Sequence, residues 1–218
     1  MKIEAIIFDL DGVIVSTDEY HYQGWKKLAD EEGIFFDREI NHRLRGVSRM
    51  ESLDILLERS SRTYTDEQKI EMAGRKNDYY RQLLQNITPA DILPGVLNIL
   101  NELKQRGIKM AIGSSSRNSP AILGRIGLAD FFDATADGND ISNSKPDPEV
   151  FLLAAERLGM KPSQCLVVED ADAGVDAAIA GGFRCLAVGA AKNHPAACMS
   201  ADDMESIPVD DYISMTRG

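Results

Sequence analysis

With 218 residues and a formal net charge of −11, the chain is long enough for one large domain or for a core carrying an insert. So acidic a molecule is not built to bind nucleic acid or an anionic membrane surface, and any anionic substrate must be drawn by a local cluster of cations. No stretch approaches the roughly 18 apolar residues of a membrane span. The first strand-like run begins almost at once, with no signal-peptide layout. Cys165, Cys185 and Cys198 are odd in number and lack metal-ligand spacing; the first two lie in apolar runs and read as buried thiols. The expected setting is a reducing cytoplasm.

The chain opens on Ile6-Ile7-Phe8-Asp9-Leu10-Asp11-Gly12-Val13. Its apolar, β-branched start suits a buried parallel strand. Asp9 and Asp11 break the pattern at the carboxyl end, outside which open α/β sheets bind ligands. Two carboxylates so close repel each other unless a cation or a shared proton intervenes. That invites Mg²⁺, with one carboxylate free to attack phosphorus and the other to move a proton. Taken alone, the same residues serve equally well as a capped turn.

A parallel strand normally returns to its sheet after one crossover helix. Here the next convincing strand, residues 108–113, lies about a hundred residues further on. The intervening pattern is helical, with Trp25, Leu28 and Ala29 on one face, Leu53, Leu56 and Leu57 on another, and Ile70, Ala73 and Leu84 on a third. A helical insert over residues 16–87 accounts for this, and residues 88–95 read as the return hinge. Helices without chemistry are the default for an insert, and a lone His or Lys on one is ordinarily structural or solvated.

After the hinge, strands and helices alternate, as in a parallel sheet covered on both faces. Val96, Leu100 and Leu103 form a helix face that Gly107 ends. Ser114 follows the strand at 108–113, before a helix, where a hydroxyl and helix-start amides meet a phosphoryl oxygen or simply build a turn. In Ser144-Lys145-Pro146-Asp147-Pro148, Pro148 suits a first helical turn with Asp147 as its cap, leaving Lys145 to reach back and balance carboxylate charge. Phe151, Ala155 and Leu158 then share a face. Residues 165–168 form an apolar strand ending in Glu169-Asp170, acids of the kind an oxygen-rich metal site uses. Residues 183–188 give the last sheet strand, and beyond 190 only a short terminal segment without chemistry is expected.

Asp9-Leu10-Asp11-Gly12-Val13, Ser114, Lys145-Pro146-Asp147-Pro148 and Glu169-Asp170, in that order, resemble the four motifs of the haloacid dehalogenase superfamily. The resemblance covers most of residues 1–189, and Gly46-Val47-Ser48-Arg49 narrows it to the β-phosphoglucomutase group. It implies a doubly wound, mostly parallel, Rossmann-like α/β core (1–15 and 88–218) and a four-helix-type cap (16–87). Asp9 would be the nucleophile and Asp11 the general acid and base, with Ser114 and Lys145 stabilising the transferred phosphoryl group. Mg²⁺ would be held by Asp9, the backbone carbonyl of Asp11, Glu169 and Asp170. The sugar phosphate would be gripped by Thr17, His21, Trp25, Arg45, Gly46, Val47, Ser48, Arg49, Ser52 and Lys76 of the cap and by Ser116, Arg117 and Asn118 of the core, with Arg49 on the distal phosphate.

Two departures stand out: Arg45 where the group usually has lysine, and Ser16 where an acid commonly precedes the threonine matched by Thr17. A planar guanidinium does not replace a compact ammonium one for one. The implied reaction converts β-glucose 1-phosphate to glucose 6-phosphate through a bisphosphate. A sugar-phosphate phosphatase using water is the nearest competitor, and a catalytically silent sugar-phosphate binding protein is the alternative from another class. The expected partner is a small sugar phosphate, and with no dimerisation stripe the default is a monomer.

Overall fold

The computed structural model describes residues 3–214, which divide into two compact units, residues 3–16 with 88–214 and residues 17–87. The first is built on a six-stranded parallel sheet: β1 (Ala5–Phe8), β2 (Lys109–Gly113), β3 (Ala134–Ala136), β4 (Cys165–Glu169), β5 (Arg184–Val188) and β6 (Met199–Ala201). Their spatial order is β3-β2-β1-β4-β5-β6. This is the doubly wound order, whose direction reverses between β1 and β4. Register places Phe8 beside Ile112 on one side and Val168 on the other. Asp9 therefore leaves β1 next to Glu169, the last residue of β4.

All of β1 and β4 is buried, as a central parallel strand with both faces covered requires. Alternate residues point to opposite faces. One set (Ala5, Ile7, Ala111, Val167, Cys185) packs with α7 (Glu149–Leu158) and α8 (Asp172–Ala180) around Phe151 and Val175. The remaining helices of this unit are α5 (Val96–Gln105), α6 (Ser119–Arg125) and α9 (Val209–Ser214). Cys165 and Cys185 are buried in the sheet, and none of the three cysteines is in a disulfide among the described residues. No described helix is long and apolar enough to cross a membrane.

The chain leaves and re-enters this unit through paired segments. Val15 bridges Ile92 antiparallel, and Leu93 N–H donates to the Ile14 carbonyl at 3.0 Å. Thr88 and Asp91 cap each other around the turn at Pro89–Asp91.

Among the described residues the second unit is wholly helical: α1 (Asp18–Glu32), α2 (Arg38–His42), α3 (Arg49–Leu57) and α4 (Asp66–Leu83). It has its own core of Trp25, Leu28, Ile34, Phe36, Ile40, Leu53, Leu56 and Met72. Helix α4 starts on a capping box between Thr65 and Gln68.

Three details depart from the sequence expectations. Ile70 is 65% exposed, because the buried stripe of α4 runs through Met72, Ala73, Lys76 and Tyr80, and Ile70 lies off that line. Helix α7 starts one residue late, with Pro148 as its N-cap, although Asp147 still accepts from Glu149 N–H at 2.9 Å. Beyond residue 190 the chain adds β6 and α9 to the sheet unit.

Candidate active site

The site forms at the carboxyl ends of β1 and β4, at the reversal in strand order. Asp9 continues β1 by one residue, its N–H bonded to the Val168 carbonyl at 3.0 Å, so its side chain is fixed by the sheet. Glu169 closes β4 and is 1% exposed. Lys145, from the segment preceding α7, reaches into the same place. Its ammonium donates to Asp9 Oδ1 at 2.5 Å and to Glu169 Oε1 at 2.6 Å, with the Phe151 ring beneath it. The other Glu169 oxygen accepts from Ala171 N–H at 2.8 Å.

Two glycines make room for this cluster. At Gly12, in left-handed backbone (φ 82°), a Cβ would fall well under 3.0 Å from the Asp170 carboxylate. At Gly174, in the first turn of α8, a Cβ would collide in the same way with the Glu169 carboxylate. Each acid thus passes closely over bare backbone.

Asp9, Glu169 and Asp170 can each offer a carboxylate oxygen, all within 4.8 Å of one another. Burial raises the Asp9 pKa well above the usual carboxylate range, with Lys145 opposing and Glu169 and Asp11 adding to the rise. Burial also works against the charge of Lys145, but the two carboxylates outweigh it and lift its pKa, so it stays an ammonium. Three carboxylates against one ammonium leave excess negative charge on an all-oxygen donor set. That composition fits a hard divalent cation.

Ser114, 2% exposed, follows β2 and bonds through its N–H to the Ala136 carbonyl. Helix α6 begins only at Ser119, so the stretch between is a turn held by its own hydroxyls. Ser114 Oγ accepts from Ser116 N–H and Ser116 Oγ from Asn118 N–H, each at 3.2 Å. Exposed Arg117 bonds through Nε to the Gly138 carbonyl at 3.1 Å.

The remaining candidates lie in the helical unit. Lys76, 3% exposed, holds its ammonium 2.9 Å from His21 Nδ1 and over the rings of Trp25 and Tyr80. Trp25 is itself 2% exposed, within the helical core, and its ring forms the floor under Lys76. Thr17 is fully buried and accepts from Tyr80 O–H at 3.0 Å. Ser48 is the N-cap of α3, accepting from Glu51 N–H, with Arg49 the first helical residue and Ser52 buried one turn on. Gly46 takes left-handed backbone (φ 74°) and Val47 is half-buried. Arg45 is paired with Asp18. Sequence reasoning singled out neither Asp18 nor Gly174. A glycine in the first turn of a helix, where alanine is the better helix former, was the available signal for the latter.

The family model of haloacid dehalogenase-like hydrolases matches residues 3–182, and the chain belongs to this family. Within it, the chain is 45% identical over 189 residues to the β-phosphoglucomutase of Bacillus subtilis (strain 168), covering 86% of this chain and 84% of that protein. A crystal structure of β-phosphoglucomutase from Clostridium difficile matches with a TM-score of 0.89 at 41% identity, over 95% of this chain and 94% of that one. The phosphorylated carbohydrates phosphatase of Thermotoga maritima is 32% identical over 184 residues, 83% of this chain and 82% of that protein.

Proposed function

We propose that this protein is a β-phosphoglucomutase, interconverting β-D-glucose 1-phosphate and glucose 6-phosphate through an aspartyl-phosphate enzyme and a β-glucose 1,6-bisphosphate intermediate. The observation that carries the chemistry is the buried Asp9–Lys145–Glu169 cluster at the sheet's reversal point. The choice of mutase over phosphatase is supported by 45% identity to the mutase against 32% to the phosphatase.

In this reading Asp9 attacks phosphorus and becomes the phosphoenzyme. Asp11 gives a proton to the leaving oxygen and later takes one from the acceptor hydroxyl. Lys145 and Ser114 meet charge on the transferred phosphoryl oxygens, so positioning and fixed charge supply most of the acceleration. Asp9, Glu169, Asp170 and the Asp11 carbonyl would hold Mg²⁺, which supplies the positive charge that keeps Asp9 ionised in its buried place. Residues 45–49, with His21 and Lys76, serve the sugar and its second phosphate, as do Ser116, Arg117 and Asn118. Three cysteines with no disulfide among the described residues suit a reducing cytoplasm, and a monomer is sufficient for every role named.

The deciding test supplies β-glucose 1-phosphate, a trace of the 1,6-bisphosphate and Mg²⁺. Glucose 6-phosphate with little inorganic phosphate is expected, and the α anomer should react poorly. Stoichiometric inorganic phosphate with glucose as product would replace the mutase by the phosphatase. Arg49→Ala offers a second check. It should cut mutase turnover by roughly 100-fold or more, while transfer from acetyl phosphate, which has no distal phosphate, falls much less. Equal losses in both assays would remove Arg49 from the distal phosphate.

A further inference from the structure

Arg45 stands just before the Gly46–Arg49 loop, and its half-buried guanidinium is paired within the helical unit. Nη2 donates to Asp18 Oδ2 at 2.7 Å, while Nε is buried without a hydrogen-bond partner. The other Asp18 oxygen lies 3.4 Å from Nδ2 of buried Asn41, at the C-terminal part of α2. Asp18 is the first residue of α1, where a carboxylate also meets the positive end of the helix. One carboxylate at a rigid helix start therefore ties down both α2 and the residue that begins the loop.

We propose that Asp18 is a positioning residue that latches Arg45 and so sets the shape of the Gly46–Arg49 loop before the sugar phosphate arrives. From Arg45 the chain passes one glycine in left-handed backbone, then Val47 and the cap Ser48, and enters α3 at Arg49. So short a path leaves little freedom once both ends are fixed, one by the ion pair and one by the helix. Ordering the loop in advance removes that entropy from the binding step. This rests on the loop's role in sugar-phosphate binding. It makes Arg45 a strut of the loop, with its charge spent on Asp18, and leaves the phosphate to Arg49.

The latch and a direct phosphate contact by Arg45 predict opposite signs for Asp18→Ala. If Asp18 latches the loop, its removal should raise KM for β-glucose 1-phosphate about tenfold with kcat within about twofold, the scale of one charge-assisted hydrogen bond. If Arg45 grips the phosphate, removing its counter-charge should leave KM unchanged or lower it. Asp18→Ala combined with Arg45→Ala should be no worse than Arg45→Ala alone, because both remove the same tie. Amide hydrogen exchange at Gly46, Val47 and Ser48 should quicken about tenfold in Asp18→Ala, and the buried α1 and α4 amides should hold. Asp18→Asn, which keeps the shape, should give a smaller change in the same direction. An unchanged or lower KM, additive losses in the double variant, or unchanged loop exchange would each overturn the latch. Wild-type protein releasing glucose and inorganic phosphate would overturn the mutase reading instead, and the exchange experiment would still decide the latch.

Discussion

Asp9→Asn should abolish mutase turnover, by about 10⁴-fold or more, and leave a folded protein that takes no covalent label from a phosphoryl donor. The amide is nearly isosteric with the carboxylate and its oxygen still accepts from Lys145, so the packing of a residue only 6% exposed is preserved. What it lacks is the nucleophilic anion. Burial already disfavours that anion, and Lys145 keeps Glu169 as its counter-charge, so removing the charge should lower the melting temperature little. The measurement is radiolabelled donor, denaturing gel and thermal melt on one preparation. A labelled Asp9→Asn protein would displace Asp9 as nucleophile, and a large drop in melting temperature would mean its charge holds Lys145 in place.

Much of this site is legible in the sequence because polar residues stand out in apolar surroundings. Asp9 and Glu169 stand at the ends of apolar runs where a buried sheet would otherwise have Val or Ile, and Lys145 stands out in the Pro-flanked segment before a helix. Strands β1, β2, β4 and β5 are legible for the same reason, as apolar runs. Strands β3 and β6 are not. Each has three residues, mostly small, at an edge of the sheet, and three residues carry no period. The five-residue α2 escapes likewise.

Ile70 misleads because three apolar residues can be fitted to a helical face that the real stripe, through Met72, Lys76 and Tyr80, does not use. Lys76 on that stripe is the less expected case, a cation inside a helical core, stabilised by the Trp25 and Tyr80 rings. Contacts made by distant residues are the hardest to read. Asp18 and Arg45 are 27 positions apart, and only the packed helices bring them together.

Gly174→Ala should be the second most damaging change, although helix propensity alone predicts a gain. In an ordinary helix interior, alanine in place of glycine stabilises by roughly 0.5–1 kcal/mol. Gly74, in α4, is such a place, since a Cβ there meets nothing within 4 Å; Gly74→Ala should therefore raise the melting temperature slightly. At Gly174 the new methyl would occupy the space of the Glu169 carboxylate, which is bonded to Lys145 and to Ala171 N–H. Either α8 shifts away from β4 or Glu169 is driven out. Overpacking of this kind costs typically about 1–3 kcal/mol, and breaking a buried ion pair about 3–5 kcal/mol. Both exceed the propensity gain. Displacing Glu169 also disturbs the oxygens within 4.8 Å of one another, so half-maximal activity should require more Mg²⁺. Urea melts of the two alanine variants, with Mg²⁺ titrations of activity, make the comparison. A Gly174→Ala protein as stable as Gly74→Ala, with unchanged Mg²⁺ dependence, would show that Glu169 is not seated over that glycine.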